Sequence, residues 1–334
     1  MTLKENQKSV TISNGKPTFI DLCAGIGGFR LGFEEKGYKC VFSSEWDSKC
    51  QKVYETNFGE IPDGDISKIK SSDIPKHDVL CAGFPCQPFS ISGKQQGFFD
   101  ERSNVIFSIF RIIKDKKPKV VLLENVKHLI HLKDKTIFEF ILSEIESLGY
   151  TVKWDILNAS KFGLPQNRER VIIIASKKEF DFEEIPTKKA KPLKNFLDKK
   201  GEFEYLDEEY TLIPEPKVQK SGLKFVGYRN KKIRVAGVRP NTEHLSRVHK
   251  MPNRIYSADG LHPTIPAQET SRRFWIYHEG KVRKLTVNEC YRIMGFPSNF
   301  SFTDEPSPQI HQIGNSVAIP MIESLAEAIK KQLL

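Results

Sequence analysis

The 334-residue sequence predicts an α/β protein built on a doubly wound sheet, with a smaller second domain placed before the last helix. Three observations carry that prediction. Short, β-rich apolar runs alternate with helical stretches between residues 17 and 175. The first of those runs passes straight into a glycine-rich turn, as a ligand-binding strand–turn–helix does. Basic residues then concentrate in a later stretch that lacks the alternation.

Taken in order, strands are expected at 18–22, 40–44, 78–82, 120–124, 152–157 and 171–175, with helices near 29–36, 104–115 and 135–148. In the third helix Ile137, Ile141, Ile145 and Leu148 recur at helical spacing, and Gly149 stands where a helix stops. Residues 176–216 mix charges with Pro186, Pro192, Pro214 and Pro216 and read as a connector. A final amphipathic helix over 319–333 presents Ile322, Leu325, Ala326, Ile329 and Leu333 on one face, which needs a partner. The expected domains are 1–180 with 309–334, and 181–308 between them.

At 39% hydrophobic and 28% charged, the chain can bury a real core, which excludes disordered and fibrous classes. No run approaches the roughly 18–20 apolar residues of a membrane span, and residues 1–16 are polar rather than signal-like. A soluble protein is expected. Six cysteines (Cys23, Cys40, Cys50, Cys81, Cys86, Cys290) form no CxxC pair, so neither a metal site nor a disulfide framework is expected, and a reducing cytosol fits.

The net charge of +10 is local. Residues 217–284 hold 16 basic and 4 acidic side chains, against 36 and 38 elsewhere. Arg229, Arg234, Arg239, Arg247, Arg254, Arg272 and Arg273 are interleaved there with Tyr228, Tyr256, Phe274, Trp275 and Tyr277. A solvated lysine face is one reading of such a stretch. Phosphate contact is the other, and arginine mixed with aromatics favours nucleic acid.

Four features bear chemistry. Phe19 to Phe29 is a strand running into a turn with Gly25, Gly27 and Gly28, and Glu45 follows about 20 residues later, where a ribose-binding carboxylate ends a second strand. Arg30 occupies the third glycine's place of GxGxxG, so a nucleoside cofactor such as S-adenosylmethionine is favoured over a dinucleotide. Pro85 and Pro88 bracket Cys86-Gln87 in an extended loop beyond a strand's carboxyl end, a place for a nucleophilic thiol; an inert buried cysteine is the plain alternative. Glu124-Asn125-Val126 puts a carboxyl group at the same sheet edge, able to donate a proton if its pKa is raised. Gln166-Asn167-Arg168-Glu169-Arg170 brings two guanidinium groups able to reach carbonyl oxygens.

In this order, those residues resemble the DNA (cytosine-5)-methyltransferase family, and the resemblance extends over nearly the whole chain. Its motifs here are Asp21 through Gly28, Glu45-Trp46, Asp65-Ile66, Pro85-Cys86-Gln87, Glu124-Asn125-Val126, Gln166 through Arg170, Leu285-Thr286 through Glu289-Cys290 to Gly295-Phe296-Pro297, and Gly314-Asn315-Ser316-Val317. Length and loop wording, including Phe89 through Lys94, are most similar to compact bacterial restriction–modification enzymes.

The resemblance implies a Rossmann-like S-adenosylmethionine-dependent domain and a target-recognition domain. It implies that Cys86 attacks C6 of cytosine, Glu124 donates to N3 and binds the amine, Arg170 holds the base carbonyl, Arg168 supports the adduct and Asn125 orients the cysteine loop. Cys23, Ala24, Gly25, Ile26, Gly27, Gly28, Glu45, Trp46, Asp65, Ile66, Pro85 and Val105 would line the cofactor site, closed by Asn315, Ser316 and Val317. S-adenosylhomocysteine would be the product. Double-stranded DNA would meet Gln87, Ser90, Ser92, Arg254, Tyr256, Thr264, Arg272 and Arg273, with the target base flipped out. Where many relatives have a glycine-rich loop this chain has Gln268 through Trp275, and Cys23 stands where many have Phe. A cytoplasmic bacterial monomer is expected, nucleoid-associated through DNA, with a cognate restriction endonuclease acting separately and no membrane. The alternatives are methylation of transfer RNA by the same thiol chemistry, a catalytically silent DNA-binding module and, more remotely, a nicotinamide oxidoreductase.

Overall fold

A computed structural model describes residues 15–85, 105–230, 253–267, 274–302 and 306–334. The first sheet begins with β1 (Thr18–Leu22), in which Phe19, Ile20 and Leu22 are all fully buried, the mark of a strand covered on both faces. It continues with β2 (Lys39–Ser44), β3 (Val79–Gly83), β4 (Val120–Val126), β5 (Thr151–Asn158) and, after the two-residue β6 (Gln166–Asn167), β7 (Glu169–Ser176). Strand order is β2-β1-β3-β4-β7-β5. The first four run parallel, and β7 lies antiparallel between β4 and β5. All six strands foreseen from the sequence are present.

Alternating strand residues feed two cores. On one face Phe19, Cys81, Leu122 and Ile172 pack with Phe29 and Phe33 of α1 (Gly28–Glu35) and with the terminal helix. On the other, Ile20, Leu80, Val121 and Ile173 meet α3 (Val105–Lys116) and α4 (Thr136–Ser147), in register with the predicted Ile137, Ile141 and Ile145 stripe. Between β2 and β3 lies α2 (Ser48–Phe58), which the sequence reading did not anticipate. Its signals were there: Asp47 caps it by accepting from the Lys49 amide at 2.8 Å, Gly59 ends it at φ +72°, and Cys50, Val53 and Tyr54 are its buried side.

A second sheet of order β13-β12-β10-β9-β8 comes from β8 (Tyr210–Val218), β9 (Lys224–Arg229), β10 (Arg254–Ser257), β12 (Trp275–His278) and β13 (Lys281–Lys284). The short β11 (His262–Pro263) pairs parallel with β6 and so ties the second region to the site edge of the first. The connector ends earlier than expected, because 210–218 is a strand. Pro214 and Pro216 disguised it, but β8 is an edge strand whose register jumps from Leu212↔Gly227 to Lys217↔Phe225, and prolines are tolerated in such a bulge. After α5 (Val287–Arg292) and α6 (Pro306–Asn315), α7 (Ile319–Gln332) returns to the first sheet, burying Ile322, Leu325, Ala326 and Ile329. Gly32 makes that return possible: a Cβ there would stand 2.6 Å from Ile322 Cγ2.

The second sheet is fastened to α5 by one buried ion pair. Arg283 grips both carboxylate oxygens of Glu289 at 2.8 Å each. Glu289 also closes a capping box with Thr286 and accepts from the Asp198 amide at 2.8 Å.

Candidate active site

The chain reverses its winding beside β1, whose neighbours are β2 and β3, and ligands of open α/β sheets bind outside the carboxyl ends of strands at such a point. The turns after β1 and β2 meet there. The first, after β1, holds Cys23 at φ +55°, Gly25 at φ +55° and Gly27 at φ +88°. A left-handed cysteine costs about 1–2 kcal/mol, strain of the kind that gathers at functional turns. The Gly25 amide donates to Glu45 Oε2 at 2.8 Å and the Asp47 amide to Oε1 at 2.9 Å. Glu45 is buried, and burial raises its pKa while those two N–H groups oppose the rise. Beside it Trp46 is 80% exposed, an aromatic face without a covering side chain.

Helix α2 shapes this turn. A Cβ on Gly27 would meet the Phe58 ring at 2.2 Å, so the turn lies flat against that ring. Arg30, in the third glycine's place, sits over Phe58 at 4.5 Å, reaches the Tyr54 hydroxyl at 3.3 Å and pairs with Glu34 and Glu60. Asp65 Oδ1 accepts from the Ser67 amide at 2.9 Å in a turn. Arg111 of α3 holds that turn through the carbonyls of Ile66 and Ile69 at 3.3 and 2.8 Å. Tyr54, Phe58 and Arg111 escaped the sequence reading because their partners are far along the chain.

From the C-terminal side, Ser316 and Val317 press on the start of α1. A Cβ on Gly28 would lie 2.6 Å from Val317 Cγ2 and 2.8 Å from Ser316 Oγ. That Oγ is buried with no partner, as are both polar atoms of Gln312, another residue not anticipated. Asn315 instead reaches out to His311. Ala24 and Ile26 are buried, Ile66 packs under the α3 face, Val105 is half-buried and Pro85 is exposed.

The second cluster stands at the ends of β3, β4 and β7. Glu124 pairs with Gly83 in the sheet, and Arg170 Nε meets Glu124 Oε1 at 2.9 Å with both side chains buried. Burial raises the Glu124 pKa, partly offset by Arg170 and Arg168, so its carboxyl takes up a proton more readily than an ordinary glutamate. Asn125 donates to the Phe84 carbonyl at 2.8 Å, two residues before Cys86. Cys86, Gln87, Ser90, Ser92, Arg272 and Arg273 lie outside the described residues. Arg168 is 1% exposed, and its terminal nitrogens are spent on the carbonyls of Ile265, Gly314 and Ser316 at 3.3, 2.8 and 2.6 Å. Burial and the Arg170 charge push its pKa down, partly offset by the Glu124 carboxylate.

Three residues expected to face DNA make contacts within the protein. Tyr256 is fully buried against Phe274 and Leu223, so its contact with DNA is corrected to a packing role. Thr264 Oγ1 donates to the Asn167 carbonyl at 2.6 Å, and Arg254 lies over the Phe225 ring at 5.8 Å. Within the basic stretch Arg229 pairs with Glu208, Arg283 with Glu289 and Lys284 with Glu204, so the count of cations overstates the free charge. A groove of about 780 Å³ between the segment after β5 and the second sheet keeps more of it. Lys161, Lys188, Lys189, Lys220 and Lys224 line it, and Asp259, the one acid among its described lining residues, pairs with Lys194 at 2.8 Å. Among the described residues, no three side chains form a metal site, and no helix is long and apolar enough to cross a membrane.

An open α/β sheet with a glycine–glutamate turn at its switch point and a buried glutamate–arginine pair at the same edge defines a protein of the class that binds a ligand at the carboxyl ends of its strands. Comparison with known proteins narrows that class. Residues 17–331 match the C-5 cytosine-specific DNA methylase family, and the chain belongs to it. It is a DNA cytosine-5-methyltransferase with the Rossmann-like methyltransferase fold. The Type II methyltransferase M.BsuFI of Bacillus subtilis is 40% identical over 319 residues, covering 96% of this chain and 74% of that one. M.HhaI of Haemophilus parahaemolyticus is 38% identical over 320 residues, covering 94% of each. Among solved structures, the Entamoeba histolytica methyltransferase EhMeth superposes with a TM-score of 0.70 at 21% identity, over 95% of this chain and 99% of that one, a likeness of fold.

Proposed function

We propose that this enzyme transfers a methyl group from S-adenosylmethionine to C5 of a flipped-out cytosine within a short duplex DNA sequence, as the modification half of a restriction–modification system. The observation that carries the proposal is the buried Glu124–Arg170 pair, 2.9 Å apart at the strand edge that leads through Gly83 to Pro85 and Cys86. Residues 1–180 with 309–334 would form the catalytic domain, and 181–308 the target-recognition domain.

The first turn suits the cofactor. Space is open where a Cβ on Gly25 would stand, Glu45 has carboxylate lone pairs for ribose hydroxyls, Trp46 offers an indole face to adenine, and Ser316 Oγ awaits a partner. Bound there, S-adenosylmethionine supplies an electrophilic methyl group.

The chain's own residues supply the rest. A stacked base cannot present its face to a thiol, so cytosine must leave the duplex. The Cys86 thiolate adds to C6 and drives ring electrons to C5, which takes the methyl carbon as its bond to the sulfonium sulfur breaks and S-adenosylhomocysteine is left; loss of the C5 proton to a base and expulsion of the thiolate restore the ring. Glu124, readily protonated, donates to N3 as that electron density develops, and its second oxygen accepts from the 4-amine, which thymine lacks. Arg170 donates to the base carbonyl, and Asn125 sets the loop that carries Cys86. The lysine groove adds phosphate contacts, so affinity falls steeply with salt.

The test is transfer of labelled methyl from S-adenosylmethionine to unmethylated genomic DNA, with bisulfite sequencing and transfer RNA in parallel. Methylcytosine confined to one short DNA motif is expected, and Cys86→Ser abolishes turnover while retaining cofactor binding. Label in RNA alone, or full activity in the Cys86→Ser variant, would refute the proposal.

A further inference from the structure

Arg168 is the largest fully buried side chain among the described residues, and it joins three segments far apart in sequence. Its guanidinium holds Ile265 on one side and Gly314 and Ser316 on the other. Those two segments touch backbone to backbone, since a Cβ on Gly314 would stand 2.5 Å from the Cα and amide nitrogen of Ala267. Around the same junction Gln166 Oε1 accepts from the Ile265 amide at 3.1 Å, and Thr264 binds the Asn167 carbonyl. Ser316 and Val317 in turn lean on Gly28 at the cofactor turn. Arg168 itself is two residues from Arg170, which grips Glu124.

We infer that Arg168 is a positioning residue that couples the cofactor turn to the base pocket, so that cofactor and DNA bind cooperatively. This rests on the function proposed above. A ligand packing against Gly28 loads Ser316, whose carbonyl accepts from the buried Arg168 guanidinium at 2.6 Å. The shift passes to Arg170 along the chain and to Ile265 across it. Arginine is required because its planar fork reaches several carbonyls at once, whereas a lysine ammonium is a single point.

The experiment measures S-adenosylhomocysteine affinity by Trp46 fluorescence, with and without sheared unmethylated genomic DNA, in the wild type and in Arg168→Lys. Wild type gains at least about fivefold in affinity when DNA is added, and Arg168→Lys gains nothing. A merely structural role would weaken both affinities by one factor and leave the gain intact, which overturns the inference. Product binding without any gain in the wild type overturns it too, leaving the functional reading standing. No product binding at all sinks both. Should Arg168→Lys fail to fold, hydrogen exchange of the wild type decides: the product alone slows amides at 166–170 and 263–267, and unchanged exchange there refutes the coupling.

Discussion

Asp21, the next-to-last residue of β1, is fully buried just before the cofactor turn. Burial pushes its pKa up from 3.8 to about 8, against the pull of Arg30, with a smaller push from Glu45. The folded protein therefore keeps Asp21 protonated where the unfolded chain has released the proton. Its contribution to stability is complete below about pH 4, declines as pH rises and is gone by about pH 8. At about 1.4 kcal/mol per unit, the wild type at pH 7 carries a penalty of about 4 kcal/mol that a neutral isostere escapes. Asp21→Asn preserves shape and removes the titration. Urea unfolding at pH 4, 5, 6 and 7 should show variant and wild type nearly equal at pH 4, then diverging by about 1.4 kcal/mol per pH unit in favour of the variant. Parallel profiles, or a wild type more stable than the variant at pH 7, would show that Asp21 is ionised in the fold.

Other perturbations have equally definite outcomes. Glu124→Gln removes the proton donor and should slow single-turnover methyl transfer by about 100- to 10,000-fold with cofactor affinity unchanged; a loss in affinity matching the loss in rate would assign Glu124 to binding. Gly28→Ala drives a methyl group into Val317 and Ser316, so product binding measured calorimetrically should weaken while secondary structure by circular dichroism persists. Glu289→Gln strips the counter-charge from buried Arg283 and should cost about 3–5 kcal/mol in urea unfolding. Arg283, with backbone N–H groups, holds the Glu289 carboxyl below the usual range, so that stabilisation is present above the ordinary carboxylate pKa and lost as pH falls through the lowered value. A cost under about 1 kcal/mol would mean that the pair is dispensable.

Local pattern determined much of this protein. Short β-rich apolar runs announced six strands of the first sheet, and apolar residues at helical spacing announced α4 and α7, because these segments carry the apolar side chains that line the two cores. The order of motifs announced the family, and the structure brings the glycine turn after β1, Glu124 of β4 and Arg170 of β7 to one edge of the sheet. The tertiary structure decided what depends on partners distant in the chain. Edge strand β8, with two prolines in a bulge, lacks the alternation that a covered strand displays. Tyr54 and Phe58 acquire their role only when α2 closes on Gly27, and Tyr256 becomes a core residue only when the second sheet assembles. Arg168 shows the division most sharply. Its motif announces a cation near the base pocket, but what that cation holds lies 97 to 148 residues further on, and only folding brings those carbonyls within reach.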